Sequence, residues 1–204
     1  MIHVSFQGER GAYSEAAARS FFNEEIETVP HTTFAEVLEN TAMDKTEYAI
    51  LPVENSLEGS VGESYDLLYS TSLNATGEIH HRIEHCLIGI GKLEEVDTIY
   101  SHPQALGQCR KFIEQHNMKT IPAYDTAGSV KIVKELNKKN CACIASKTSS
   151  SIYNMPIMSE NIANNSNNYT RFLILSKKNQ HKQKMIKHQL FSLLNMNQVH
   201  YLES

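Results

Sequence analysis

Three short polar clusters follow predicted strands of this sequence, at the points where the next helix or loop begins. They are Asn55-Ser56, Ser101-His102-Pro103-Gln104 and Asp125-Thr126-Ala127-Gly128. In open α/β sheets, ligands bind beyond the carboxyl ends of the strands, and helix N-termini there attract carboxylates. Two or three such clusters that converge would suit a small dianion. Each cluster taken alone is equally explained by ordinary helix capping.

Other templates for chemistry are missing from the sequence. It contains no GxSxG elbow and no P-loop, and its loop Gly8-Glu9-Arg10-Gly11 is not a GxGxxG dinucleotide motif. The ten histidines form no HExxH or other compact ligand set, so we predict no metal and no other cofactor. The four cysteines form no CxxC pair and are typical of buried thiols in a reducing compartment.

Composition and charge narrow the possible partners. The 204 residues carry a formal net charge of −4 at pH 7, which argues against a general nucleic-acid binder with a basic face. No stretch approaches the roughly 20 apolar residues that span a bilayer, and the N-terminus lacks the features of a signal peptide. We therefore expect a cytoplasmic protein whose partner is a small molecule, with no nucleic acid and no membrane.

Short apolar strands alternate with helices along the chain, which indicates an α/β fold. Strands are predicted at residues 2–6, 48–53, 98–101, 141–145 and 169–175. Ser14 is predicted to cap the first helix, and Thr33 with Glu36 has the spacing of a capping box for the second. Pro103 suits the first position of a later helix. Residues 177–187 are basic and polar and are predicted to be a linker or tail.

Seven motifs occur in an order that is specific to one family. They are FQGERGAYS (6–14), LPVENSLEGSV (51–61), HCL (85–87), SHPQAL (101–106), DTA (125–127), ACIAS (142–146) and NYTRF (168–172). In residue sequence and in order, these motifs resemble those of the prephenate dehydratase family, whose Thr-Arg-Phe signature is present. The resemblance covers roughly residues 2–176.

The resemblance implies an α/β, two-lobed, periplasmic-binding-protein-like (type II) fold with the active site in the interlobe cleft. The catalytic domain would span residues 1–178, with lobe 1 formed by residues 1–75 and 157–178 and lobe 2 by residues 76–156. Segments near Thr76 and Met155 would act as hinges that let the cleft close.

The C-terminal residues 179–204 would be a linker and tail after this domain. Residues 187–194 look like the first strand of the ACT regulatory domain that family members usually carry. We expect that domain to be truncated or absent, and we expect activity without feedback inhibition by phenylalanine.

The activity implied is that of a lyase: decarboxylating dehydration of prephenate to phenylpyruvate, water and CO2, without a cofactor. Thr170 of the Thr-Arg-Phe motif would donate a hydrogen bond to the departing hydroxyl, because threonine is too weak an acid to be the ultimate proton source. Glu54 is a candidate to relay that proton if it is buried with a raised pKa. The alternative for Glu54 is a solvated carboxylate that stabilises its loop.

The resemblance also implies residues that contact the substrate: Asn55, Ser56, Ser101, Gln104, Ala105, Thr126, Ala127 and Arg171. The amides of Asn55 and Gln104 would hold carboxylate or ring oxygens. Ser101, Thr126 and the N–H groups of the following helices would bind the pyruvyl carboxylate. Arg171 would point away from Thr170 in a regular strand, so both reach the ligand only if the strand bends.

Alternatives stay open at this point. An arogenate dehydratase performs the same elimination on a substrate with an amine in place of the keto group, and the motifs do not distinguish the two. A non-catalytic ligand-binding domain on the same scaffold would need no donor to a leaving group, so the Thr-Arg-Phe motif favours the enzyme. The sequence leaves homo-oligomer formation undetermined.

Overall fold

The computed structural model describes residues 1–23 and 25–177, in which strands and helices alternate. The strands are β1 (Ile2–Gln7), β2 (Ile26–His31), β3 (Tyr48–Asn55), β4 (Gly59–Ser60), β5 (Asn74–Arg82), β6 (Cys86–Gly89), β7 (Thr98–Ser101), β8 (Lys119–Pro122), β9 (Cys141–Ala145), β10 (Ile157–Ser159) and β11 (Tyr169–Ser176). The helices are α1 (Tyr13–Phe22), α2 (Phe34–Ala42), α3 (Gly62–Ser70), α4 (Pro103–Gln108), α5 (Arg110–Gln115), α6 (Gly128–Leu136) and α7 (Lys147–Tyr153). None of these helices has the length and apolar character needed to traverse a bilayer. The predicted tail and its strand at 187–194 lie outside the described residues.

The first lobe is built on a mixed sheet with the strand order β2-β1-β3-β11-β5, to which β4 adds beside β3. β1 is parallel to β2 and β3, whereas β11 is antiparallel to β3 and β5. Because side chains alternate along each strand, the sheet buries one apolar set against α1 and another against α2. The first set includes Val4, Phe6, Ile50, Phe172 and Ile174, and the second includes Ala49, Leu51 and Leu175 with Val37 and Leu38 of α2.

The second lobe contains a sheet with the strand order β10-β6-β9-β7-β8. β7 is parallel to β8 and β9, and β6 is antiparallel to β9 and β10. Its two faces are also both covered. One core set contains Leu87, Ile99 and Ile144 with residues of α4 and α5, and the other contains Ile88, Cys143 and Ala145 with Val130 and Val133 of α6.

Residues 83–85 after β5 and residues 160–168 before β11 connect the lobes. The connections lie side by side: the Ile83 N–H donates to the Asn168 carbonyl at 2.8 Å, and the Ile162 N–H donates to the His85 carbonyl at 3.1 Å. The paired connections make β11, from the far end of the described chain, the partner of β3 and β5 in the first sheet.

The predicted two-lobed α/β fold is confirmed, but the predicted boundaries at residues 76 and 157 are wrong. Thr76 lies inside β5, which pairs with β11 in the first sheet. Met155 is buried in the core of the second lobe, and β10 after it pairs with β6 there. The change of lobe therefore falls at the connections instead of at the predicted hinges.

The helix starts follow the sequence in two cases and differ in a third. Thr33 and Glu36 form the predicted capping box of α2, and Pro103 is the first residue of α4. Ser14 does not cap α1: the N-cap is Ala12, and Ser14 is the second helical residue. The helix begins early because the preceding turn is completed by Gly11, whose φ of 92° a residue with a side chain rarely adopts.

Candidate active site

A cavity of about 490 Å³ lies between the lobes, a volume that suits a small molecule. The first lobe lines it with the starts of α1, α2 and α3, the end of β3 and the beginning of β11, and the second lobe lines it with the starts of α4 and α6. The predicted site residues that line this cavity are Asn55, Gln104, Ala105, Thr126 and Thr170. The polar clusters that the sequence places after separate strands therefore converge on one cleft.

The Thr170 hydroxyl is held in one orientation by the strand beside it. Thr170 and Asn55 face each other across the β11–β3 pair, and the Asn55 Nδ2 donates to Thr170 Oγ1 at 2.9 Å. Asn55 is fixed in turn, since its Oδ1 accepts the N–H groups of Leu57 and Glu58 at 2.9 and 3.1 Å. Because Thr170 Oγ1 already accepts a hydrogen bond, its own hydrogen is left to point at a ligand in the cavity.

A chain of buried polar groups continues from Asn55 into the second lobe. The Asn55 Nδ2 also donates to Asn168 Oδ1 at 2.8 Å, and Asn168 Nδ2 donates to Gln108 Oε1 at 2.9 Å. His85 Nε2 lies 2.8 Å from the same Gln108 oxygen and must donate to it, because an amide oxygen is only an acceptor. Gln108, at the end of α4 in the second lobe, thus bonds one residue of each connection between the lobes, His85 and Asn168.

His85 and Tyr13 complete the chain. With Nε2 as the donor, His85 Nδ1 accepts in the neutral ring, and the Tyr13 hydroxyl lies 2.8 Å from both His85 Nδ1 and the Glu84 carbonyl. Burial lowers the pKa of His85, although its bond to Gln108 acts the other way, so the ring is held neutral. Burial also raises the pKa of Tyr13 well above its ordinary value, which keeps the phenol protonated.

Asp125 is a buried carboxyl at the edge of the cavity. Its Oδ1 accepts the Gly128 N–H at 2.7 Å at the start of α6, and the nearby backbone N–H groups of Ala127 and Glu9 also favour the charged carboxylate. Burial raises the pKa of Asp125 despite these donors. Since Gly8 and Glu9 belong to the first lobe, Asp125 lies where the two lobes meet.

The glycine loop of the first lobe makes further contacts to the second lobe. The Gly11 carbonyl accepts the Ser146 and Ser149 hydroxyls, each at 2.8 Å. The Glu9 carboxylate pairs with Lys131 at 2.5 Å and accepts from the Tyr124 hydroxyl at 3.2 Å. The structure thus has the lobes in contact along one side of the cleft.

Comparison with known proteins decides the family. A model of the family described as prephenate dehydratase matches residues 4–180. The chain belongs to the prephenate dehydratase family. It is 39% identical over 178 residues to arogenate dehydratase/prephenate dehydratase 1, chloroplastic, of Arabidopsis thaliana, with 86% of this chain and 45% of that protein covered. It is 37% identical over 184 residues to the bifunctional chorismate mutase/prephenate dehydratase of Buchnera aphidicola subsp. Schizaphis graminum, with 87% and 48% covered. The chain therefore spans about half the length of these relatives.

Solved structures agree with the family and the fold. The prephenate dehydratase from Staphylococcus aureus subsp. aureus Mu50 is similar with a TM-score of 0.77 at 27% identity, with 89% of this chain and 69% of that one covered. A structure described as GqqA, a novel type of quorum quenching acylase, is similar with a TM-score of 0.79 at 34% identity, with 86% and 64% covered. The predicted family and the predicted periplasmic-binding-protein-like fold are confirmed.

Two charged residues predicted for the dehydratase site lie away from the cavity. Glu54 is exposed on β3, and its side chain points opposite to Asn55. Arg171 likewise points opposite to Thr170, and its guanidinium binds Glu78 at 2.5 and 2.9 Å. A raised pKa for a buried Glu54 was the basis of the predicted relay, so exposure removes that basis. The β11–β3 pairing does shift register between Arg171 and Phe172, but the Arg171 guanidinium stays on Glu78.

Three further residues predicted to contact substrate have structural roles. Ser101 is buried, and its hydroxyl donates to the Ile144 carbonyl of the neighbouring strand at 2.7 Å. Ser56 is exposed and bonds the Asn167 carbonyl and the Tyr169 N–H. Ala127 is buried against the core of the first lobe. None of the three lines the cavity.

The sequence reasoning missed some cavity residues that carried a usable signal. Gln108 follows Gln104 by four positions, so both lie on one face of α4. His85 and Tyr13 stand inside quoted family motifs, and Asp125 opens the Asp-Thr-Ala motif. Their contacts with one another cross between the lobes, which no local pattern reveals.

Proposed function

We propose that this chain removes water and CO2 from prephenate to give phenylpyruvate. The observation that carries the proposal is the Thr170 hydroxyl, which lines the cavity and accepts from Asn55, so that its own hydrogen is free to donate to a ligand. A site that only binds ligand has no need for a donor fixed in this way, whereas an elimination needs one at the leaving oxygen.

The reaction sets clear demands on such a donor. The bond from the ring to its carboxylate breaks and releases CO2, its electron pair enters the ring, and the bond to the para hydroxyl breaks. Hydroxide leaves and takes up one proton, so one proton is consumed for each phenylpyruvate formed. Negative charge grows on the leaving oxygen in the transition state, and a preorganised donor stabilises it there more than in the ground state. Thr170 is the donor that we assign to this oxygen.

The cavity supports binding of a dianion by neutral donors. Within the described part of the chain, no lysine or arginine lines it. Amides and hydroxyls are present instead, including those of Gln104 and Thr126, together with the starts of α1 and α6. We assign Asn55 to the positioning of Thr170, and Gln104, Ala105 and Thr126 to substrate contact. An interior with few charged groups also strengthens each remaining hydrogen bond.

A second candidate activity is arogenate dehydration. The carboxyls of Asp125 and Glu63 both line the cavity, and either one could pair with the ammonium group that arogenate carries in place of the keto group. The Arabidopsis relative bears both names.

The free thiols of the four cysteines, all buried, support the cytoplasmic location that we propose for the enzyme.

Turnover of each substrate tests the proposal. Purified protein is mixed with prephenate or arogenate, and phenylpyruvate or phenylalanine, CO2 and proton uptake are followed together. The proposal requires one CO2 and one proton per phenylpyruvate, and a kcat/KM that is higher for prephenate than for arogenate. Binding of prephenate without turnover would reduce the chain to a binding domain, and the opposite preference would make it an arogenate dehydratase.

A further inference from the structure

Five helices, α1, α2, α3, α4 and α6, begin at the cavity and differ in how their first turns are satisfied. α2 has its capping box, His102 Nδ1 accepts the Gln104 N–H in α4, and Asp125 accepts the Gly128 N–H in α6. α3 follows Val61 and α1 follows Ala12, and neither of these side chains accepts a hydrogen bond. Among the described residues, the N–H groups of Tyr13, Ser14 and Glu15 meet no acceptor. This ten-residue helix therefore presents free donors and its positive dipole end.

The Ser14 hydroxyl is a second, independent sign of a ligand at this point. The residue is 8% exposed and lines the cavity, yet no group within the described ranges forms a hydrogen bond with its side chain. Its oxygen opens on the cavity, since the buried side-chain atoms without a partner in the described residues are Ser64 Oγ and Tyr153 OH. A hydroxyl that is left open toward a cavity is placed to meet a ligand.

The charges around the start of α1 leave it able to attract an anion. Glu15 does approach the turn, since its carboxylate accepts the Gly11 N–H at 2.7 Å, but Arg19 pairs with that carboxylate at 2.8 Å. Asp125 accepts the Gly128 N–H and lies near the backbone N–H groups of Glu9 and Ala127. Neither carboxyl takes up the donors of Tyr13 or Ser14.

We propose that Ser14 Oγ and the free N–H groups of the first turn of α1, together the α1 site, bind the pyruvyl carboxylate of the substrate. The assignment rests on the proposed dehydratase function. Of the two carboxylates, the one on the ring loses its charge as CO2 departs, so donors to it would stabilise the ground state and slow the reaction. The pyruvyl carboxylate keeps its charge in the product, and strong donors hold it at no cost to the barrier.

Phenylpyruvate is a useful probe because it retains only the pyruvyl carboxylate. Ser14→Ala removes the hydroxyl and leaves the rest of the side chain in place. Loss of a hydrogen bond to a charged group typically weakens binding by about tenfold or more. We expect about a tenfold rise in the Kd of phenylpyruvate by calorimetry, an equal rise in the KM of prephenate, and a kcat within about threefold. Ser20→Ala is the matched control, because its hydroxyl is exposed on the same helix and bonds the Ala16 carbonyl.

Ser14→Asp provides a second test, because it places a carboxylate beside the free N–H groups of the α1 site. A carboxylate in the first turn of a helix is favourable and offsets part of the cost of a charge at this buried position, and thermal melting checks that the variant is folded. Because it places a negative charge in the α1 site, it should bind no phenylpyruvate.

The possible outcomes separate the claims. Unchanged phenylpyruvate binding in Ser14→Ala overturns the α1 site, and so does a rise in the KM of prephenate alone, since that would mean the ring carboxylate lies there. Binding by Ser14→Asp within about threefold of wild type overturns it as well. A wild-type protein that neither turns over prephenate nor binds phenylpyruvate overturns the proposed function itself and the assignment with it.

Discussion

The Asn55 side-chain amide donates a 2.9 Å hydrogen bond to the Thr170 hydroxyl, across the antiparallel pair of β3 and β11. The direction of this bond matters more than its length. Because the amide donates, the hydroxyl hydrogen of Thr170 is free for the leaving oxygen of the substrate. The two residues lie far apart in sequence, and the insertion of β11 beside β3 brings them together.

Reversing the direction of that bond should disable catalysis. Asn55→Asp keeps the size and the acceptor for the Leu57 N–H, but a carboxylate would accept the Thr170 hydrogen and withdraw it from the cavity. We expect kcat to fall on the order of 10²–10³-fold, as for the loss of one transition-state donor. Steady-state kinetics measure this. Asn167→Asp, on the exposed end of the same region, is the matched control, and a kcat of Asn55→Asp within about threefold of wild type would contradict the role.

Gln104 and Gln108 lie one turn apart on α4 and should behave differently. Gln108→Leu leaves the Asn168 Nδ2 and His85 Nε2 donors without their acceptor, at roughly 1–3 kcal/mol each. Gln104 is exposed, so Gln104→Ala should change the free energy of unfolding by less than about 0.5 kcal/mol while it raises KM. Urea unfolding and kinetics on both variants test this. A Gln104→Ala variant that is destabilised like Gln108→Leu, with normal kinetics, would make Gln104 structural.

Gly11 should tolerate a side chain worse than Gly59 does. Both have positive φ, 92° and 81°, and share a backbone penalty of about 1–2 kcal/mol for a residue with a Cβ. At Gly11 the added carbon would also lie 2.7 Å from Ser149 Oγ across the lobe contact, whereas Gly59 faces open space. We expect Gly11→Ala to lose about 1–3 kcal/mol more than Gly59→Ala in chemical unfolding. Equal losses would show that the lobes adjust at no cost.

Neutral His85 should make stability depend on pH in the acid range. Its pKa is lowered by burial from 6.5, so below that pH the unfolded chain takes up a proton that the native ring does not. Its contribution is therefore complete above about pH 6.5 and is lost as pH falls from there toward the lowered value, by up to about 1.4 kcal/mol per pH unit. His31 and His81 have pKa values lowered by burial as well and contribute in the same direction.

A comparison of variants isolates the part of His85. Urea unfolding at pH 7.5 and 5.5 gives the loss of stability for the wild type, and His85→Gln should show a smaller loss. His80→Gln changes an exposed histidine on β5, and this variant should lose as much stability between the two pH values as the wild type does. If the loss in His85→Gln equals that of the wild type, His85 is not the neutral buried group described here.

The sequence predicted those parts of the site that depend on local pattern. The polar residues at strand ends pointed to Asn55, Gln104 and Thr126, which all line the cavity, because strand ends in α/β folds share an edge. Strand alternation also anticipated that Arg171 points away from Thr170. The structural role of Ser101 could not be predicted from local pattern, because its hydroxyl donates to the Ile144 carbonyl on a strand far along the chain.

The lobe boundaries show the same limit at a larger scale. Residues 79–90 form a nearly continuous extended pattern, and nothing local marks residue 83 as the place where the chain leaves one sheet for the other. That break is set by which strands pair: β5 with β11, and β6 with β9 and β10. The predicted cap at Ser14 failed for a related reason: the turn at Gly11, and not the serine, sets where α1 begins.

The central claim is that Thr170 stabilises the departing hydroxyl, and the kcat of Thr170→Ala for prephenate tests it most directly. Thr170→Ser is the matched variant, because it keeps the hydroxyl and its bond to Asn55. The account predicts that alanine lowers kcat on the order of 10²–10³-fold with KM within about threefold, while serine retains at least about a tenth of the activity. An alanine variant with a kcat within about threefold of the wild type would contradict the account.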